Sequence, residues 1–204
     1  MKKILILTII QILLFNCKTL DQNNKNMEKI DLKKFKNKNI LVNHTYREET
    51  DDTIVEYELY AYGDRDIISV NTYKKDSPYY TKKTYYRSNN QLMAESSYFY
   101  RTPIGISKKY DEKGNLTEEI DWAKLEKRTF SIDDLIKKMK DEFDIDLLNP
   151  KNKEVSRGGN PTTYYYSVAV KKSDQAPFFR LIEINVQTGE LISDKIIYRS
   201  ENYK

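Results

Sequence analysis

The chain has 204 residues, with 35 basic and 31 acidic side chains and a net charge of +4 at neutral pH. So even a balance lacks the clustered positive charge by which nucleic-acid-binding proteins hold phosphates. One cysteine, Cys17, and one histidine, His44, leave no disulfide framework and no His/Cys ligand set for zinc. The excess lies in 17 tyrosines, whose rings bury large areas while a polar tip stays wet.

Lys2 and Lys3 precede an uncharged apolar run from Ile4 to Phe15, and Cys17 follows at once. A basic start before a short apolar core reads as a secretory signal; a bilayer-spanning helix needs roughly 20 apolar residues. Leu14-Phe15-Asn16-Cys17 resembles a bacterial lipoprotein cleavage box, with Asn16 where that pattern places a small residue. The resemblance implies that residues 1–17 carry a lipoprotein signal cleaved just before the cysteine, with acylation of Cys17 and a membrane anchor through it. It also implies a cell-envelope address. Lys18, rather than aspartate, follows the cysteine and favours the outer over the inner membrane. Acylation would consume the sole thiol, and loss of Lys2 and Lys3 lowers the net charge to +2. Residues 18–38, rich in Asn, Lys, Asp and Gln, hold too little apolar surface to fold and read as a solvated, flexible tether. Met27–Phe35 is a helical alternative within it.

From residue 39 to 124 the pattern is alternation. Val55, Tyr57 and Leu59 fall on one side of an extended chain, Glu56 and Glu58 on the other. Further β-rich runs are expected at Ile67–Tyr73, Tyr79–Tyr86, Gln91–Tyr100, Ile104–Tyr110 and Leu116–Trp122. Turn residues such as Ser88-Asn89-Asn90 and Lys113-Gly114-Asn115 separate them. Connections this short allow only an antiparallel meander. A tyrosine, a polar turn and an aliphatic recur at an offset of 24, from Tyr86 to Tyr110 and faintly from Tyr62. Tyr110-Asp111-Glu112-Lys113-Gly114-Asn115-Leu116, after Ile104-Gly105-Ile106-Ser107-Lys108-Lys109, resembles the variant MORN repeats of antitoxin-like bacterial proteins. That resemblance implies β-hairpin units whose tyrosine and glycine serve packing and turn geometry. Asn90 and Asp66 stand at the glycine position of the earlier copies.

After Trp122 the period becomes helical. Ser131 is an N-cap with Asp134 three residues on, and Phe130 and Leu135 fit a hydrophobic staple. Ile132, Leu135, Ile136, Met139 and Phe143 share one helix face, and the helix must end before Asn149-Pro150. Asn149–Pro161 reads as a polar loop; strands follow at Thr162–Lys171, Phe178–Gln187 and Leu191–Tyr198. A helix and three antiparallel strands, with Ile184-Asn185-Val186-Gln187-Thr188-Gly189-Glu190-Leu191 at the last hairpin, resemble a PepSY-like module over residues 125–204. Its resemblance implies binding or restraint of peptidases. The expected fold is α+β and mostly antiparallel β: a meander of hairpin repeats, then one helix packed on a three-stranded sheet.

Few residues suggest chemistry. His44 has no accompanying nucleophile motif. The acidic pairs Glu48-Glu49, Asp51-Asp52, Glu118-Glu119 and Asp133-Asp134 invite a glycoside-hydrolase reading. Strand neighbours point to opposite faces, however, and Asp133-Asp134 suits a helix N-terminus. Arg157-Gly158-Gly159-Asn160 lacks the spacing of a phosphate loop and reads as a flexible connection. No pattern implies a cofactor or catalytic residue. Tyr79, Tyr80, Tyr98, Phe99, Tyr100 and Arg101 are the candidate partner-binding residues, since aromatics so crowded cannot all point inward. The expected role is non-enzymatic protein binding by an anchored lipoprotein, immunity- or antitoxin-like, with a toxin or peptidase as partner and no nucleic acid. A peptidase-restraining inhibitor and a carboxylate-dependent envelope glycan hydrolase are the alternatives.

Overall fold

The computed structural model describes residues 28–33, 45–62, 65–125, 127–160, 163–173 and 177–198. The leader with Cys17, His44 and the remainder of residues 18–38 lie outside them. Seven strands run in chain order as one antiparallel sheet: β1 (Thr45–Glu49), β2 (Thr53–Tyr62), β3 (Arg65–Lys74), β4 (Tyr79–Tyr86), β5 (Leu92–Phe99), β6 (Thr102–Tyr110) and β7 (Leu116–Asp121). The sequence runs placed β2 to β7 within one or two residues; β1 is an addition at the edge.

Register separates two faces. Tyr57, Leu59, Ile68, Tyr85, Leu92 and Phe99 lie on the inner face, and all are buried. Glu56 and Glu58 point the other way, as the alternation requires. Asn90 takes a left-handed φ of +61° in the turn before β5, and Gly114 one of +90° before β7. Asparagine tolerates that region better than other residues with a Cβ, which lets it stand at the glycine position.

The second unit follows a short helix, α1 (Trp122–Leu125), and opens with α2 (Ile132–Phe143). The Ser131 hydroxyl accepts from the Asp134 amide at 3.1 Å, and the Asp134 carboxylate accepts from the Ser131 amide at 2.9 Å. This capping box satisfies helix-end donors that have no partner within the helix. The helix stops at Asp144, in a left-handed conformation with φ +53°. Four strands, not three, form its sheet: β8 (Lys153–Asn160), β9 (Thr163–Lys171), β10 (Phe178–Asn185) and β11 (Leu191–Tyr198), in the order β11-β10-β9-β8.

The segment read as a polar loop is therefore largely β8, and Arg157-Gly158-Gly159-Asn160 is its end rather than a flexible connection. The glycines that signalled a loop have a packing cause. A Cβ on Gly158 would lie 2.5 Å from the Tyr165 ring, so the missing side chain makes room for a cross-strand aromatic. Val155 pairs with Val168, which pairs with Ile182, and all three are fully buried beneath Leu135 and Met139 of α2. Each such aliphatic contributes about 1.5–3 kcal/mol by leaving water.

Phe99 joins the two units. It belongs to the meander yet is fully buried in the core beneath α2, with Tyr79, Tyr100 and Ile104 packed around it. Residues 28–33, inside the expected tether, also lie on the inner face. Ile30 and Leu32 pack against Leu59, Ile68, Tyr85 and Leu92. The Ile30 amide donates to the Asn90 carbonyl and the Leu92 amide to the Glu28 carbonyl, both at 3.1 Å. Lys29 bridges to Gln91 in antiparallel fashion, so this stretch is extended and not the helical alternative.

Candidate binding surface

The inner face of the large sheet is occupied at both ends, by residues 28–33 and by the second unit. On the outer face Trp122 Nε1 donates to Ser107 Oγ at 2.7 Å, and the buried Tyr86 donates its hydroxyl to the Tyr110 carbonyl at 2.8 Å. Across the rest of that face runs one register row, from Ile54 on β2 through Tyr73, Tyr80 and Tyr98 to Pro103 on β6. The Tyr80 and Tyr98 rings stack at 4.8 Å with 7° between planes, and Tyr73 lies 5.0 Å from Tyr80 at 30°.

Rings stacked on each other stand on edge, so the row offers ring edges and phenol oxygens outward. A sugar platform needs a bare ring face instead. Burial among these rings pushes the Tyr80 phenol above its ordinary value, and burial with nearby Glu56 does the same more strongly for Tyr73. Both stay neutral hydrogen-bonding groups near pH 7. Beside the row, Arg47 Nη2 meets Glu49 at 3.1 Å and Lys75 meets Glu49 at 2.7 Å. The Glu58 carboxylate accepts the Tyr60 hydroxyl and, with burial, raises that phenol to about 12. Protein-contacting surfaces are enriched in aromatic residues and carry a polar, solvent-accessible rim.

The six candidate residues split between two places. Tyr80 and Tyr98 lie in the outer row. Phe99 is fully buried and has no surface to offer a partner; it sits 5.0 Å from Tyr79 and 5.0 Å from Tyr100 by ring centroids. Tyr100 donates its hydroxyl to the Leu147 carbonyl at 2.9 Å. Arg101 reaches Glu154 at 2.8 Å, and its amide donates to the Val155 carbonyl. Tyr79, Phe99, Tyr100 and Arg101 thus weld the meander to the second unit. Ile54, Tyr73 and Pro103 complete the outer row and were missed. Tyr73 and Tyr80 bracket one tight turn, so hairpin register was the signal that would have paired them.

The acidic pairs are engaged singly. Glu48 accepts the Tyr57 hydroxyl at 3.0 Å, Asp52 accepts those of Thr50 and Thr53 at 3.1 Å, and Lys109 meets Glu118 at 2.5 Å. Asp134 caps α2. An open inner-face groove of about 510 Å³ has Asp52 as its one acidic lining residue, and a neighbouring one of about 260 Å³ has Glu95. Among the described residues no three His, Cys, Asp or Glu side chains gather as a metal set, and no helix is long and apolar enough to cross a membrane.

Comparison with protein-family models, curated proteins and solved structures finds no match to this chain.

Proposed function

We propose that this protein is an envelope lipoprotein, anchored through acylated Cys17, that acts by binding another protein and not by catalysis. The observation that carries the reading is the outer face of the large sheet: a tyrosine row bounded by paired charges, while residues 28–33 and the core of the second unit occupy the two ends of the inner face. Tyrosine supplies contact area at low side-chain entropy, which suits it to such surfaces. An immunity- or antitoxin-like role against a toxin is the most concrete form, with an outer-membrane address preferred. Peptidase restraint by the second unit is the second version, and it draws on the PepSY-like resemblance.

We also read the meander as MORN-like hairpin repeats. Tyr86 donates its hydroxyl to the carbonyl of Tyr110, its counterpart one offset away, at 2.8 Å. Asn90 and Gly114 stand one offset apart and share positive φ. For binding without chemistry, support comes from carboxylates that cap, pair or accept locally and from grooves with one acid each; glycan hydrolysis needs two that converge.

The test has two parts. Metabolic labelling with palmitate should mark the native protein and not Cys17→Ala. The form from residue 18 onward should retain one stoichiometric protein from solubilised bacterial envelopes, and Tyr80→Ala/Tyr98→Ala should retain at least about tenfold less. Retention that ignores both tyrosines, or release of reducing sugar from envelope glycan, overturns the reading.

A further inference from the structure

We infer that residues 28–33 are a latch that limits how far the folded body stands from the membrane. The inference rests on the anchor reading for Cys17 and adds to it a device built into the chain.

Covalent geometry supplies the argument. An extended chain spans at most about 3.6 Å per residue. With Glu28 docked, the body lies no more than about 40 Å along the chain from Cys17. With the segment released, the next described residue of the sheet is Thr45 on β1, and covalent geometry alone then allows up to about 100 Å. Docking therefore sets the protein's reach toward any partner held away from the bilayer.

The seat is built for this segment. Lys83 Nζ meets the Glu28 carboxylate at 2.5 Å, and the Tyr85 hydroxyl donates to its other oxygen at 2.6 Å. Ile30 and Leu32 point onto the cluster of Leu59, Ile68, Tyr85 and Leu92, while Glu28, Lys29, Asp31 and Lys33 are exposed. Two backbone hydrogen bonds tie the segment to the Asn90–Leu92 turn. The attachment is also light. Ile30 and Leu32 are half-buried, and the Lys83–Glu28 pair keeps 35% and 45% of its side-chain surface in water. An ion pair so exposed holds weakly, and segments with few buried contacts open well before the whole fold does.

The experiment couples the form beginning at Cys17, through that sole thiol, to a maleimide-headgroup phospholipid in a supported bilayer. The result is then independent of acylation in cells. Neutron reflectivity reads the distance from bilayer to body, and amide exchange reads Ile30 and Leu92. Glu28→Lys sets a positive charge against Lys83 and leaves the apolar contacts intact. It should speed exchange at both amides at least about tenfold, leave Val168 protected, and move the body outward. Ile30→Asp/Leu32→Asp should do the same by the apolar route. The latch is overturned if native Ile30 and Leu92 exchange like free peptide, or if both variants expose those amides while the body keeps its distance. Failure of palmitate labelling would strike the anchor reading alone, since the coupled protein reports the latch directly.

Discussion

The amide of Arg101 donates to the carbonyl of Val155 at 2.9 Å, so the β5–β6 turn of the large sheet lies against the edge strand of the small one. That bond covers part of an edge that would otherwise expose unpaired backbone groups. It also fixes the direction in which the preceding residue, Tyr100 with φ +51°, sends its ring. The two sheets thereby share one aromatic junction, and consequences for stability follow from it.

Phe99→Ala should be among the most damaging single changes. Its ring is fully buried beneath α2 although its backbone belongs to β5. Truncation of such a ring costs about 3–5 kcal/mol. Urea denaturation should show the midpoint fall, with the near-ultraviolet signals of both units lost together. A loss under about 1 kcal/mol would mean that the junction contributes little.

Tyr98→Ala, one residue away, should behave differently. Tyr98 stacks on Tyr80 on the outer face, and such a pair adds about 0.5–1.5 kcal/mol beyond burial. The variant should stay folded at 25 °C and lose partner retention. Comparison of its urea midpoint with that of Phe99→Ala checks the assignment of faces.

Gly189→Ala should strain the joint between α2 and the β10–β11 turn. Gly189 has φ +73°, and a Cβ there would come within 2.5 Å of the Phe130 ring. Phe130 is held in place by its amide, which donates to the Val186 carbonyl at 3.0 Å. Left-handed strain and overpacking together should cost about 2–4 kcal/mol, read as a fall in thermal midpoint. Gly189→Asn, which tolerates positive φ, keeps the clash and separates the two causes.

Glu28 should titrate below an ordinary carboxylate. Burial pulls it upward, but the Lys83 and Tyr85 hydrogen bonds and the Lys83 charge outweigh that. A depressed carboxyl contributes stability above its unfolded value near about 4.3, and the contribution is lost as pH falls through the folded value. Docking of residues 28–33 should therefore hold at neutral pH and weaken under acid. Carbon-detected NMR of the Glu28 carboxyl should place its midpoint below that of a free peptide, and Lys83→Ala should bring it back.

Where an element was legible, its cause was local. Tyr79–Tyr86 alternates between two turns, and Ser131 with Asp134 carries its own helix start, so β4 and α2 stand where the sequence put them. Where it was not, the cause lay elsewhere in the chain. Arg157-Gly158-Gly159 resembles a loop by composition, and only the Tyr165 ring across the pair explains why a strand needs glycine there. Glu28, Ile30 and Leu32 alternate as a strand should, but a polar setting hid the pattern until the sheet offered a seat.

The amino-acid order alone determined the alternation: that Tyr79 and Tyr80, or Tyr98 and Phe99, must face opposite ways follows from strand geometry one residue at a time. Tertiary structure decided which face is covered, and so made Phe99 core and Tyr98 surface. That choice depends on where α2 and its sheet dock, a contact between residues far apart in the chain, and no local pattern encodes it.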